Sequence, residues 1–252
     1  MAGLGRGERR ESAKRSWGRR TALVLAAPRG YVGAMRVLGL ETSSQRASVV
    51  LLDGERVLGE ATSDVAGAHA ERLLPMIAET LRLAGLAATA VERVGVGVGP
   101  GSFTGVRVGL SVGRGMARGL GVPVVGVGSL QAIAAACGEP RTLVALLDAR
   151  RSEVFAAAYG ADGEERIAPE AVPIAGFDAW LCSHDIGEHA FAGAGCALVD
   201  RLPICVDGGC DLPHARAVAQ VAARLDPEQY VATPVYVRDA GATPQKLPAS
   251  PF

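Results

Sequence analysis

The stretch from Val94 to Ala117 limits the fold of this chain more than any other feature. Its alternation of valine and glycine over 94–98 predicts a buried strand, and the glycines and proline at 99–101 predict a tight loop. Ser102 and Thr104 are both suitable N-caps, so we expect a helix to begin there with several N–H groups converging on one point. Such a loop either binds a phosphate or carboxylate or serves as a structural turn, and both alternatives remain open.

The helix predicted over 104–120 carries a small residue at every fourth position. A glycine inside a helix costs about 1 kcal/mol relative to alanine, so the glycines of this stripe need a compensating contact. Close approach of another helix is the expected compensation, because small residues allow two helix backbones to come near each other. The stripe consists of Gly105, Gly109, Gly113 and Ala117.

The bulk composition is that of an ordinary globular protein. A chain of 252 residues with 49% hydrophobic residues can bury the core of one large or two small domains. The 26 basic and 26 acidic residues balance, which gives no sign of a broad nucleic-acid-binding surface. The cysteines are odd in number and contain no C-x-x-C pair, so we expect reduced thiols, a cytoplasmic protein and no zinc site. They are Cys137, Cys182, Cys196, Cys205 and Cys210.

The two ends of the chain differ from its middle. Residues 1–34 are rich in arginine and lack apolar periodicity, which predicts a basic disordered extension or a start site assigned too early, ahead of Met35. Residues 21–27 superficially resemble a signal-peptide core, but a secreted protein is the less favoured alternative. Residues 239–252 are expected to form a flexible tail. No segment reaches the ~20 apolar residues of a membrane span.

The order of the predicted elements indicates an α/β protein with helices covering a mixed sheet. A first domain is expected over 35–137, with strands at 36–40, 47–52, 56–61, 94–98 and 123–127 and helices at 68–84, 104–120 and 129–137. Pro75 predicts a kink or a later start of the first helix, and Gly85 its end. A second, less regular domain is expected over 138–238, with strands at 142–147, 153–159, 191–195 and 234–238 and a helix at 215–225.

Common catalytic motifs are absent from the sequence. The loop at 99–104 lacks the lysine of a Walker A motif and the third glycine of a Rossmann loop. His184 and His189 are five residues apart, not on one helix face, and Ser102 does not stand in a G-x-S-x-G elbow. Neither a metal site nor a serine hydrolase is therefore expected. Residues 41–44 either present ligands to a metal-bound phosphate or form a polar hairpin whose hydrogen-bonding groups are satisfied within the protein.

The two long helices have broad apolar sides, which predict either ordinary core or a helix-to-helix interface with another subunit. The candidate interface residues are Ala70, Leu73, Leu74, Ile77, Leu81, Gly105, Val106, Gly109, Leu110, Gly113 and Ala117.

Five motifs, occurring in the same order, give the chain a close resemblance to the TsaB (YeaZ) family. The match runs from Met35 to about Arg238, and its most specific part is the Gly-Pro-Gly-Ser-Phe-Thr-Gly segment that begins at Gly99. The motifs are LGLETS at 38–43, ASVVLL at 47–52, HAERLLP at 69–75, GVGPGSFTGVR at 97–107 and DARRSEV at 148–154.

The resemblance implies an actin-like ATPase fold, related to ribonuclease H, with two lobes of mixed sheet and helices. It further implies a non-catalytic scaffold subunit of the complex that forms N6-threonylcarbamoyladenosine in tRNA. The implied partners are the catalytic paralogue TsaD, the ATPase TsaE and tRNA bound through the complex, with a homodimer when the chain is alone. Pairing would use a bundle of the first two helices of each partner, and no cofactor is implied.

The resemblance also implies how this chain differs from its catalytic paralogue. TsaD carries two metal-binding histidines where Ser129 and Ile133 stand here, and the turn 148–151 lacks the glycine of a second phosphate loop. Glu41 stands where many relatives have aspartate. A vestigial anion or nucleotide loop is expected at Glu41, Thr42, Ser43, Gly99, Gly101, Ser102 and Thr104. The alternative function is a stand-alone actin-like ATPase, or a metal-dependent transferase or peptidase of the same fold.

Overall fold

Two mixed sheets, of five and four strands, form the framework of the protein. The structure is a computed structural model that describes residues 35–64, 69–204 and 209–237. The expectations for residues 1–34 and 239–252 lie outside these ranges.

The first sheet combines an antiparallel meander with two parallel strands. Its strands are β1 (Arg36–Glu41), β2 (Ala47–Asp53), β3 (Arg56–Ser63), β4 (Arg93–Gly97) and β5 (Val124–Val127), in the order β3-β2-β1-β4-β5. Strands β4 and β5 run parallel to β1, whereas β2 runs antiparallel to β1. The strand order reverses direction between β1 and β4, and such a switch point leaves a crevice at the carboxyl ends of the two strands.

Two helices cover one face of the first sheet, α1 (His69–Ala84) and α2 (Phe103–Leu120). Helix α1 already begins at His69 and contains Pro75, so the later start that Pro75 allowed is wrong. The helix ends before Gly85, whose φ of 65° is left-handed, as the sequence predicts. Helix α2 begins at the predicted cap, because the Ser102 hydroxyl accepts a hydrogen bond from the Gly105 N–H at 3.2 Å.

The second sheet repeats part of this pattern on a smaller scale. Its strands are β6 (Thr142–Arg150), β7 (Glu153–Tyr159), β8 (Glu165–Pro173) and β9 (His189–Ala192), in the order β8-β7-β6-β9. Helix α4 (Phe177–Ser183) packs on one face through Phe177 and Trp180. Strand β8 and helix α4 were not predicted. Strand β8 is an edge strand with Pro169 inside it, and the sequence gives no continuous apolar run there.

Two helices pack on the sheet of the other lobe from the one in which the predicted boundary at residue 138 places them. Helix α3 (Ser129–Cys137) packs Leu130 and Ile133 against the second sheet. Helix α5 (Ala215–Arg224) returns to the first sheet and covers its other face. Its approach is close, since a Cβ added at Gly39 would lie 2.2 Å from the Ala215 carbonyl oxygen. Helix α3 therefore packs with the second lobe and helix α5 with the first, whereas the predicted ranges 35–137 and 138–238 place each of them in the other lobe.

Residues 230–237, which we call the strap, run along the free edge of β5. Val231 forms an isolated bridge with Val125, and the Val235 N–H donates to the Val98 carbonyl at 2.8 Å. The final strand predicted at 234–238 is wrong for the part that the structure describes, since 234–237 form no ladder. Arg238 lies outside the described residues.

Cys137, Cys182 and Cys196 form no disulfide, and Cys210 is disulfide-bonded. This corrects the expectation of a reduced thiol at Cys210, while Cys205 lies outside the described ranges. Within those ranges, no helix has the length and apolar character that crossing a membrane requires.

Candidate functional site

A cavity of about 700 Å³ opens between the two lobes at the carboxyl ends of β1 and β4. Its walls come from the turn after β1, the start of α2, the turn between β6 and β7, and the strap. Four of the seven predicted loop residues line it, namely Ser43, Gly101, Ser102 and Thr104. Glu41, Thr42 and Gly99 lie behind this wall.

The hydroxyl groups of the predicted loop bond to the protein itself. Thr42 Oγ1 donates to the Gly105 carbonyl at 2.7 Å, and Ser43 Oγ lies 2.7 Å from Ser129 Oγ. Ser102 Oγ is used as the cap of α2. These bonds tie the turn after β1 to the first turns of α2 and α3, so the hydroxyls of Thr42 and Ser43 are satisfied within the protein.

Close backbone approach explains the glycines of the loop. Gly99 has a φ of 95°, and its carbonyl accepts a hydrogen bond from the Ser129 N–H at 2.8 Å. A Cβ added at Gly101 would lie 2.2 Å from the Ser43 carbonyl oxygen. Gly101 therefore lets the turn after β1 lie against the start of α2, and Gly99 joins the loop to the start of α3.

Glu41 is fully buried and points at the neighbouring strand. Its Oε1 accepts a hydrogen bond from the Ser43 N–H at 2.5 Å, and a Cβ added at Gly97 would lie 2.0 Å from Oε2. Oε2 has no hydrogen-bond partner among the described residues. Burial raises the pKa of this carboxyl, and hydrogen bonds from Ser43 and Thr42 only partly oppose the rise.

The turn between β6 and β7 has an unusual backbone. Arg150, Arg151 and Ser152 have φ values of 62°, 54° and 60°, a left-handed conformation that side chains disfavour. Asp148 stabilises the turn, since its Oδ1 accepts a hydrogen bond from the Arg150 N–H at 2.7 Å. Both arginines are exposed and line the cavity.

An aromatic cluster on the other side of the cavity was not predicted. Phe103 and Tyr236 have ring centroids 5.6 Å apart, and the Arg107 guanidinium carbon lies 3.6 Å from the Phe103 centroid. Arg107 Nε donates to the Tyr236 hydroxyl at 3.1 Å. Sequence reasoning missed this cluster because Tyr236 reaches Phe103 only through the path of the strap.

Most of the predicted partner-interface residues are core residues of the chain itself. Only Ala70 and Leu74 are exposed, Leu74 to 58%, and Leu81 is half-buried against the core. The remaining eight are buried: Leu73, Ile77, Gly105, Val106, Gly109, Leu110, Gly113 and Ala117.

The glycine stripe of α2 faces the first sheet and not another helix. A Cβ added at Gly105 would lie 2.0 Å from the Thr42 carbonyl, one at Gly109 would lie 2.4 Å from Thr42 Oγ1, and one at Gly113 would lie 2.3 Å from Val96 Cγ2. The expected helix-to-helix contact along this stripe is thus corrected: the small residues let α2 lie close to β1 and β4.

The outer surface of α1 and α2 is what remains open to a partner. The two helices pack side by side, and their outward residues include apolar, small, basic and acidic types, the acidic ones being Glu71 and Glu79 on α1. Gly115 and Gly119 have nothing within 4 Å of an added Cβ. We call this surface the helix face; it consists of Ala70, Leu74, Pro75, Ala78, Ser111, Arg114, Gly115, Arg118 and Gly119.

Buried residues occupy the two positions at which the sequence resemblance implies histidines in TsaD. Ser129 is buried and bonded to Ser43, and Ile133 is fully buried against the second sheet. The described residues contain no group of three or more His, Cys, Asp or Glu side chains that could hold a metal ion.

The sheet order, the partial repeat in a second lobe and the cleft between the lobes define the class: this is an actin-like ATPase fold with two α/β lobes. The family model described as "TsaD: tRNA N6-adenosine threonylcarbamoyltransferase" matches residues 59–178. A solved structure, YeaZ from Pseudomonas aeruginosa, aligns with a TM-score of 0.64 and 34% identity over 80% of this chain and 99% of that chain. The chain belongs to the TsaB (YeaZ) family, as its motifs predict.

Curated relatives carry the name tRNA threonylcarbamoyladenosine biosynthesis protein TsaB. The protein from Haemophilus influenzae is 41% identical over 126 residues, which are 48% of this chain and 52% of the relative. The Escherichia coli protein is 35% identical over 133 residues, which are 51% of this chain and 56% of the relative. The chain thus spans about half the length of the curated relatives it matches.

Proposed function

We propose that this chain is a non-catalytic subunit of the complex that forms N6-threonylcarbamoyladenosine in tRNA. It pairs with a TsaD-like catalytic subunit and enables threonylcarbamoyl transfer to the adenosine beside the anticodon. A TsaE-like ATPase joins the pair, tRNA binds through the complex in the cytoplasm, and the chain forms a homodimer when alone. The family membership supports a role in forming N6-threonylcarbamoyladenosine, and the interior of the cleft supports assigning catalysis to the partner subunit.

The observation that carries this proposal is that the chain's own groups fill the inner end of the cleft. The buried Glu41 carboxyl contacts Gly97. The hydroxyls of Thr42 and Ser43 are bonded to Gly105 and Ser129. A phosphate or metal ion at these groups would have to break bonds that hold the first lobe together. The transfer chemistry therefore falls to the partner.

The helix face is the proposed site of pairing. The sequence resemblance implies that the family pairs through its first two helices, and here their buried sides are unavailable. Leu74 offers an exposed apolar anchor, and Gly115 and Gly119 leave room for an incoming helix backbone. Ala70 and Leu74 are the two originally predicted residues that stay in this proposal as direct contacts.

Reconstitution tests both parts of the proposal. Threonylcarbamoyl transfer to tRNA is measured with the TsaD-like protein and the ATPase, with and without this chain, alongside size-exclusion chromatography of the pair. Leu74→Glu should weaken pairing about tenfold or more and reduce modification in parallel. Leu202→Glu is the matched control, because Leu202 is 91% exposed in the second lobe, away from the helix face.

Full modification without the chain, or unchanged pairing of the Leu74→Glu variant, would overturn the scaffold proposal. The alternative is a stand-alone actin-like ATPase, metal-dependent transferase or peptidase. It stays in view because a second Pseudomonas aeruginosa structure, 33% identical with a TM-score of 0.65, is described as similar to "peptidase YEAZ". ATP hydrolysis or peptide cleavage by the isolated chain would favour that alternative.

A further inference from the structure

The mouth of the cleft carries exposed aromatic and guanidinium groups that the proposed scaffold role does not use. Phe103 is 43% exposed and Tyr236 is 48% exposed, although both rings touch Arg107. We call these three residues the lip. Anchoring of the strap at Val98 fixes Tyr236 there. Exposed aromatic rings and arginine planes are the groups on which unpaired nucleobases stack.

Two arginines line the same cavity on the second lobe. Arg150 and Arg151 sit in the left-handed turn, where their side chains are exposed. Arg150 Nη1 pairs with Asp148 Oδ2 at 3.1 Å, and Arg151 adds a second positive charge to the turn. A left-handed run of three non-glycine residues is a strained conformation of the kind that clusters at functional sites.

We propose that the lip and the two arginines bind one nucleotide of an unpaired RNA segment, with its base on the lip and its phosphate at Arg150 and Arg151. This inference rests on the proposed function, which brings tRNA to the complex, and it assigns this chain a direct RNA contact. An RNA strand fits better than a free nucleotide, because the hydroxyls of Thr42 and Ser43 deeper in the cleft are already bonded within the protein and the lip faces solvent.

The test is fluorescence anisotropy of a labelled 12-nucleotide unpaired RNA with the full-length chain. Phe103→Leu and Tyr236→Leu keep apolar bulk and remove the stacking surface, so each should weaken binding about fivefold or more. Arg151→Glu should weaken binding and lower the slope of log affinity against log salt by about one. The basic residues before Met35 are common to all variants, so differences between variants report the cleft.

Arg224→Glu is the matched control for the charge reversal. Arg224 is exposed on α5 and pairs with Glu55, at the end of the first sheet remote from the cleft. Its affinity should stay within about twofold of the parent, since it makes no contact with the strand. Thermal unfolding of each variant confirms that the fold is intact.

Three outcomes would overturn the RNA site: unchanged binding by both leucine variants, an equal loss in Arg224→Glu, or displacement of the RNA by equimolar ATP, which indicates a mononucleotide site. The same variants in the reconstituted modification assay separate the two proposals. If modification needs the chain but the variants bind RNA normally, the scaffold role stands and the RNA site fails. If the variants lose RNA binding but modification does not need the chain, the RNA site stands and the scaffold role fails.

Discussion

Glu41 is a carboxyl group enclosed by protein on every side, and its burial raises its pKa. A raised folded-state pKa means that the folded protein holds the proton more tightly than the unfolded chain. The stabilisation is then fully present below the ordinary pKa of 4.5 and is lost as the pH rises through the folded-state pKa. This residue therefore opposes stability at neutral pH.

The variant Glu41→Gln should increase the free energy of unfolding at pH 8 by about 1 kcal/mol, because it removes the burial of a charge and keeps an acceptor for the Ser43 N–H. At pH 4.5 the variant and the parent should differ less. Urea unfolding at the two pH values measures this. A variant less stable than the parent at both would contradict the argument.

His214 behaves in the opposite sense. Its pKa is lowered by burial and by the nearby Arg46 and Arg216, although Glu60 opposes the shift. Its Nδ1 accepts the Arg216 N–H at 3.2 Å and so caps α5, a role that requires this nitrogen to be unprotonated. A lowered folded-state pKa makes the folded protein lose stability as the pH falls below the ordinary value of 6.5.

Because asparagine is also a good N-cap and does not titrate, His214→Asn should keep α5 in place and remove this pH dependence. The difference in melting temperature between variant and parent is measured at pH 7.5 and pH 5.5. It should shift in favour of the variant at the lower pH. A difference that does not change with pH would show that folding leaves the pKa of His214 unshifted, which would contradict the argument.

Among the elements, the sequence predicts most of the helices and strands but misses β8 and α4 in the second lobe. The bounds of α3 and β7 were predicted as observed, because α3 ends at a glycine and β7 is a continuous apolar run. The spacing of the α2 glycines correctly predicted a closely packed side of that helix. It did not show what packs there, because spacing within one helix carries no information about which distant strand lies beneath it.

The same limit explains which parts of the candidate site could be predicted from the sequence. Local motifs identified the loop residues around Gly99 and Ser102. Their contact partners lie a few residues away in the sequence or just after a strand that neighbours β4 in the sheet. The lip needs Tyr236 to return to Phe103, and α5 needs to return to β1. Such long-range contacts depend on the course of the chain through the second lobe, which has few sequence signals.

Two glycines of α2 provide a matched test of the helix orientation. Gly113→Ala places a Cβ 2.3 Å from Val96 Cγ2 and should lower the free energy of unfolding by about 1–3 kcal/mol. Gly115→Ala meets nothing within 4 Å and should raise it by about 0.5–1 kcal/mol, since alanine is the better helix former. Chemical denaturation of the isolated chain measures both. If both variants changed the free energy of unfolding in the same direction, the glycine stripe would not face the first sheet.

At the scale of the whole molecule, α5 belongs to the first lobe although it follows the second lobe in the chain. Arg93 on β4 secures its end, because Arg93 Nη1 donates to the carbonyls of Ala222, Ala223 and Leu225 at 2.7, 3.3 and 3.0 Å. These bonds satisfy acceptors that a helix leaves unpaired at its carboxyl end.

Native-state hydrogen exchange should therefore group α5 with β1 and β4. The amides of these three elements should open with the same free energy, because α5 cannot leave without baring one face of the first sheet. Arg93→Met should lower protection in all three together. Protection of α5 that follows β6 and β7 instead would contradict this grouping.

The position of α5 also sets the order of events during translation. When β5 leaves the ribosome, the first sheet is complete, but the side that α5 will cover still shows its apolar residues to water; these include Val37, Val50, Leu52, Val125 and Val127. The residues that separate Val127 from the end of α5 take about 5 to 20 seconds to synthesise. For that interval the complete sheet exposes an apolar face that α5 cannot yet cover, which is the kind of surface that chaperones bind on nascent chains.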